Sequence, residues 1–250
     1  MNTSMVLLAL IAGCTSNGND SNGSSGDDSN GGTDDSSGGT DDTGTYAPKI
    51  DPADLSTTID NPYFPFPVGV TYVSMENGDE EVNVTVTSDT RVVMGVESVI
   101  VHDVVTDKDK KILEDTYDWY AQDKDGNVWY FGEDTTAYDK GKPDTEGSWE
   151  GGVGGAYPGI IMEADPQVGD SYRQEYLRGV AEDSAEVTSI DKTVTIGMGT
   201  YKNCIETSET TALEPDLVEV KDYAMGLGEI KAEDVTGGDG DHSELIAVKK

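Results

Sequence analysis

The sequence predicts an all-β domain of mainly antiparallel strands, built from two pseudo-repeats that form a curved sheet, half-barrel or barrel. Three observations carry this reading. Short apolar segments alternate with period two, no long segment follows the helical period, and several short patterns recur in order about 100 residues apart.

The elements can be justified in chain order. Asp51-Pro52-Ala53-Asp54-Leu55 places an N-cap acid before a proline, the start signal of a helix, but nothing periodic follows and the helix must be short. Glu81 to Thr87 alternates strictly, with Val82, Val84 and Val86 on one face and Glu, Asn and Thr on the other, as a half-buried strand requires. Arg91 to Val105 is rich in Val and Ile and is interrupted at Gly95, which predicts two strands joined by a tight turn. Tyr117 to Glu133 reads as a hairpin with Asp123-Lys124-Asp125-Gly126 as its loop. That loop sets Gln122 opposite Asn127, Tyr120 opposite Trp129 and Trp119 opposite Tyr130, unless a bulge at Gly126 shifts the register by one.

The recurrences define the proposed repeats. Val68-Gly69-Val70-Thr71-Tyr72 returns as Val168-Gly169-Asp170-Ser171-Tyr172, Val86-Thr87-Ser88 as Val187-Thr188-Ser189, and Tyr120-Ala121 as Tyr223-Ala224. Units 64–134 and 164–234 follow, and facing halves of this kind close as a barrel or as a sheet with one concave face. The Gly-rich stretch between them, Ser148 to Met162, is either a mobile lid over a hydrophobic cavity or a linker that tucks an apolar plug into the core.

Charge excludes whole classes of partner. The chain has 250 residues, with 16 Lys+Arg against 50 Asp+Glu and a net charge of -34. Such a polyanion is repelled by phosphates, so it binds no nucleic acid, and it has no basic patch for anionic lipid. The seven Asp of segment 15–45 leave 43 of the acidic residues and all 16 basic ones on residues 46–250, a net charge of -27. That surplus favours solubility, tolerance of salt and attraction of cations.

The N-terminal part divides differently. Met5 to Ala12 is apolar but far shorter than the ~20 residues of a membrane-spanning helix, and it reads as the core of a signal peptide, residues 1–13. Ile11-Ala12-Gly13-Cys14 resembles the lipobox of bacterial lipoproteins, although the leader MNTSM lacks the usual basic residue. The resemblance implies lipidation of Cys14, which would anchor the chain in a membrane of the cell envelope. Thr15 is not the Asp that retains lipoproteins in the inner membrane, so the outer membrane or cell surface is implied for a Gram-negative cell. Every residue from Thr15 to Thr45 is Thr, Ser, Asn, Gly or Asp. With no apolar group to bury, residues 14–45 read as a lipid anchor and disordered tether spanning on the order of 30 Å, ahead of a single β-rich domain, 46–250. As a whole that domain is diffusely similar to lipoprotein-carrier-like half-barrels, a likeness that transfers no site residues.

No catalytic group emerges. Ser189-Ile190-Asp191-Lys192 has the spacing of a Ser/Lys nucleophile pair but sits in a β-rich turn. His102 and His242 have no motif partner, and Cys204, alone once Cys14 is lipidated, reads as a core residue. Asp123, Asp125 and Asn127 give a weak calcium candidate, and Gly237 to His242 matches one calcium nonapeptide imperfectly. Otherwise no cofactor is expected. The expected function is therefore non-enzymatic: an envelope binding module that takes a hydrophobic small molecule or lipid, with Trp149, Tyr157, Ile160 and Met162 near its cavity mouth. The alternatives are a structural or adhesive protein presenting Trp119, Tyr120, Trp129 and Tyr130 to glycan or protein, and a hydrolase using carboxylates.

Overall fold

A computed structural model describes residues 46–238 and 240–250. Cys14 and the expected signal peptide and tether lie outside the described residues. The architecture is all-β and antiparallel, one large curved sheet of 16 strands, as the alternation predicts.

The expected short helix is a single 3-10 turn, Pro52–Asp54, capped by the Asp51 carboxylate, which accepts from the Ala53 N–H at 3.0 Å. After β1 (Leu55–Ser56) come β2 (Thr71–Glu76), β3 (Glu80–Val93), β4 (Val96–Thr106), β5 (Ile112–Asp123) and β6 (Val128–Asp139). The last five pair in chain order as a meander. Three short strands, β7 (Lys142–Asp144), β8 (Trp149–Glu150) and β9 (Tyr157–Met162), all add to β6. The chain continues through β10 (Ser171–Arg173), β11 (Glu175–Tyr176), β12 (Asp183–Ile196), β13 (Gly199–Thr211), β14 (Val218–Ala224), β15 (Gly228–Thr236) and β16 (His242–Lys249). Strands β10, β12, β13, β14 and β15 form a second five-stranded meander, and β16 joins it to β2.

Both meanders open on a turn with the same hydrogen bonds. The Gly69 N–H donates to Val86 O and the Val86 N–H to Val70 O. Likewise the Gly169 N–H donates to Val187 O and the Val187 N–H to Asp170 O, all at 2.8–2.9 Å. In each, the ladder to the following strand slips just after that valine, at Val86/Thr90 and at Val187/Ser189. Bulges bend a strand and strengthen its twist, which curls a long meander on itself.

The two ends of the sheet meet in one segment of chain. Strand β10 pairs with β12, β11 pairs with β9, and only Gln174 separates β10 from β11. The Gln174 N–H donates to Asp183 O at 2.9 Å. A side chain at Gly159 of β9 would overlap the backbone of Arg173 and Gln174, so this closure requires glycine there.

Of two turn expectations, one shifts by a residue and one holds. In the 117–133 hairpin, Gln122 pairs with Val128, Ala121 with Trp129 and Tyr120 with Tyr130. The shift of one residue arises because Gly126 takes φ 101° and Asp123 N–H bonds to Asn127 O, so the loop absorbs Asn127. The turn expected at Gly95 forms there, between β3 and β4.

Candidate functional site

Strands β2 to β5 turn alternate residues inward, and β15 and β16 continue the same wall. Most inward positions are apolar, but a few carry acids: Asp103 follows Val99 and Val101 on β4, and Asp118 precedes Tyr120 on β5. Together with Glu229 at the start of β15 they line a cavity, opposite Val82, Val84, Leu227 and Leu245 and beside the hydroxyls of Ser74 and Ser243. The cavity has a volume of about 70 Å³, room for ~5 water molecules at the ~10–15 Å³ that each requires.

The segment Asn61-Pro62-Tyr63-Phe64-Pro65-Phe66-Pro67 supplies the rest of the wall with Phe64 and Phe66. Three prolines fix its backbone, and its neighbours pin it. The Gln122 amide oxygen accepts from the Asp60 and Asn61 N–H groups at 2.9 Å. The Asn61 amide donates to Gly126 O and Glu163 O at 3.0 Å, and the Tyr72 hydroxyl to Pro65 O at 2.6 Å. Phe64 and Phe66 pack at 4.5 Å between ring centroids, and Phe66 meets Tyr120 edge-on at 5.4 Å.

The acids sit in an environment that disfavours charge. Burial holds the Asp103 carboxyl well above the usual carboxylate range, reinforced by Asp118, Glu114 and Glu229. Among the described residues its Oδ1 has no hydrogen-bond partner. Burial likewise raises Asp118 to about 7, although the Tyr130 hydroxyl donates to it at 2.8 Å. Glu229 is also raised to about 7 by burial, with Lys221 pulling it down. It retains some accessible surface because it faces the cavity while protein packs densely around it.

A second set of buried acids lies where the sheet ends meet. Glu133 of β6 pairs across the ladder with Asp118, and burial raises it with Asp118 and Glu175 adding to the effect. Glu175 of β11 is raised by burial and by Asp183, which is itself raised by burial to about 7. Beyond them Lys221, 1% exposed, bonds Glu209 at 2.9 Å and Glu219 at 3.1 Å.

Several expected sites are placed elsewhere. Trp149, Ile160 and Met162 are buried and Tyr157 is half-buried, and none of the four lines the cavity. Strand β9 adds to β6, with Ile160 opposite Trp129 and Met162 opposite Val128, so the stretch is a core plug and not a lid. Trp119, Tyr120, Trp129 and Tyr130 are 3, 3, 8 and 0% exposed, which removes them as a surface patch. They are buried because the shifted register stacks Tyr120 on Tyr130 at 4.9 Å, and Arg91 covers Trp119 at 4.1 Å.

The residues of the calcium candidate bond one another across their own turn. One Asp123 oxygen accepts from the Asp125 and Asn127 N–H groups, and the other from the Asn127 amide and the Trp129 indole. The Asn127 amide oxygen accepts from the Ala164 N–H. Of the remaining motifs, Lys192 turns to Glu206 and Asp222 while the Ser189 hydroxyl meets Asp191, so no Ser/Lys pair forms. His102 bonds Asp115 at 2.8 Å and stacks on Tyr117. His242 uses its backbone N–H to bond the Asn77 side chain. Cys204 is fully buried, and burial pushes its thiol up.

No protein-family model and no curated protein matches the chain. Solved structures similar to it include a protein described as exported, with a YmcC-like fold, from Bacteroides fragilis. It is 15% identical, with 75% of this chain and 99% of that one covered and a TM-score of 0.45. Another, described as a lipoprotein from Parabacteroides distasonis, is 11% identical, with 75% and 98% covered and a TM-score of 0.42.

Proposed function

We propose that the chain is a lipid-anchored protein of the cell envelope, tethered through Cys14, whose β domain binds a small amphipathic molecule without chemical conversion. The observation that carries the binding role is the cavity: a largely apolar wall with a few convergent polar groups, the usual make-up of a ligand site. Its size favours a small molecule over a lipid. Room for ~5 waters corresponds to on the order of 150 Å³ of ligand, below the ~300–1,000 Å³ of drug-sized sites. Anchoring rests on the lipobox likeness at Ile11 to Cys14. The two meanders read as copies of one unit, supported by their matching turns at Gly69 and Gly169.

The carboxylate hydrolase keeps one observation in its favour, since Asp103, Asp118 and Glu229 share a cavity. The same volume argues against it, because a glycosidase must seat sugars on both sides of the bond it cleaves. Native mass spectrometry of the protein purified without detergent tests the binding reading. A co-purified adduct of small-molecule mass is expected. A bare chain that also fails to take up added hexan-1-ol or hexylammonium would overturn it.

A further inference from the structure

The cavity's polar wall has a one-sided chemistry. Asp103, Asp118 and Glu229 all line it and no Lys, Arg or His does. Lys221, which acts electrostatically on Glu229, is engaged by Glu209 and Glu219. Gathering carboxyls in an apolar interior is unfavourable unless protons or a cation neutralise them. Their hydrogen-bonding capacity is not exhausted within the protein: Asp103 is 3% exposed, and its Oδ1 has no partner among the described residues.

The identity of the cation follows from geometry and size. Among the described residues, no three His, Cys, Asp or Glu side chains are placed to hold a metal ion. The acids therefore surround a volume rather than a point. An ammonium head presents three N–H donors and no acceptor, which suits several separated carboxyl oxygens. A carboxylate or phosphate ligand would be repelled by the same wall.

Building on the binding reading above, we infer that the cavity takes a primary alkylammonium ion, its head among Asp103, Asp118 and Glu229 and its chain against Phe64, Leu227 and Leu245. A chain of about four to five carbons fills the volume estimated above, and six carbons is the upper end of what it seats. Binding exchanges protons on the carboxyls for the ammonium charge, so it strengthens as pH rises. The groups that set this response are Asp103, Asp118, Glu114 and Glu229, with Glu133 paired against Asp118 and with Lys221, Glu209 and Asp222 acting on Glu229.

Calorimetric titration of the full chain with hexylammonium, hexan-1-ol and hexanoate tests the assignment. It is run at pH 8 in about 0.5 M NaCl, where association with the acidic surface is screened. Hexylammonium should bind at least ten-fold tighter than hexan-1-ol, and hexanoate should not bind. Asp103→Asn, an uncharged isostere, should weaken hexylammonium about ten-fold and hexan-1-ol by clearly less, with near-ultraviolet circular dichroism confirming the fold. Hexan-1-ol binding as tightly as the amine would overturn the cation assignment and leave the binding reading standing. Hexylammonium binding that Asp103→Asn does not alter would overturn it as surface association. Failure of all three probes would remove the binding reading and this inference together.

Discussion

Lys221 is the buried cation on which the surrounding acids depend. Its bonds to Glu209 and Glu219 hold two carboxyls that are 3% and 0% exposed. Removing one member of a buried ion cluster leaves the others uncompensated and costs ~3–5 kcal/mol. Lys221→Met should therefore lower Tm by roughly 6–20 °C, at ~2–4 °C per kcal/mol for a domain of this size. A melting curve within about 2 °C of wild type would show that the two glutamates are held neutral without it. Little of this was legible in the chain, because Lys221 is one of 16 basic residues and its partners are two of 50 acidic ones. A signal did exist at other positions. Asp103 continues the inward series Val99, Val101 on β4, and Asp118 shares the inward face of Tyr120 on β5. An acid on the buried side of an alternating strand is a stronger marker than an acid in a loop, since burial must be compensated by a partner, a proton or a ligand.

Among elements, β9 decides how the sheet ends meet. A Cβ at Gly159 would collide with the Arg173 and Gln174 backbone, which cannot move aside as a side-chain tip does. Gly159→Ala should destabilise the domain by ~3 kcal/mol or more, in the class of overpacking and strain mutations. Denaturant unfolding measures this, and a change below about 1 kcal/mol would mean that β10 and β11 are not held against β9. The strands themselves were readable from local pattern: Val82, Val84 and Val86 share one face of β3, and Gly95 marks the turn into β4. The hairpin pattern left its register open by one residue, because φ 101° at Gly126 belongs to backbone geometry that residue type only permits. The plug at Trp149 to Met162 was visible as apolar residues among glycines, but not its placement on β6, which depends on a long-range pairing. Phe64 and Phe66 were missed altogether. Their cue was the alternation of aromatic residues with prolines over residues 61–67, a pattern of a rigid, inserted segment rather than of a strand.

For the whole molecule, the buried acids set a pH dependence with a definite sign. Asp118, Asp183 and Glu229 are raised to about 7 and Glu219 to about 8 by burial, against ordinary values near 4. The folded state then binds more protons than the unfolded chain between about pH 4 and 8, so stability is fully present below that window and is lost as pH rises through it. Thermal melts should show Tm falling from pH 5 to pH 8, and a rise over that interval would contradict the placement of these groups. Added salt should raise Tm at pH 8, because the net charge of -34 is self-repelling and screening weakens the repulsion. The central claim is that the cavity between residues 61–67 and the inward acids is a binding site. The most direct measurement is a methyl-labelled NMR titration with hexylammonium. Signals of Val82, Val84, Val101, Leu227 and Leu245, which line the cavity, should shift together, while those of Ile160 and Met162 stay in place. Unchanged cavity methyls at saturating probe, or shifts confined to Ile160 and Met162, would contradict it.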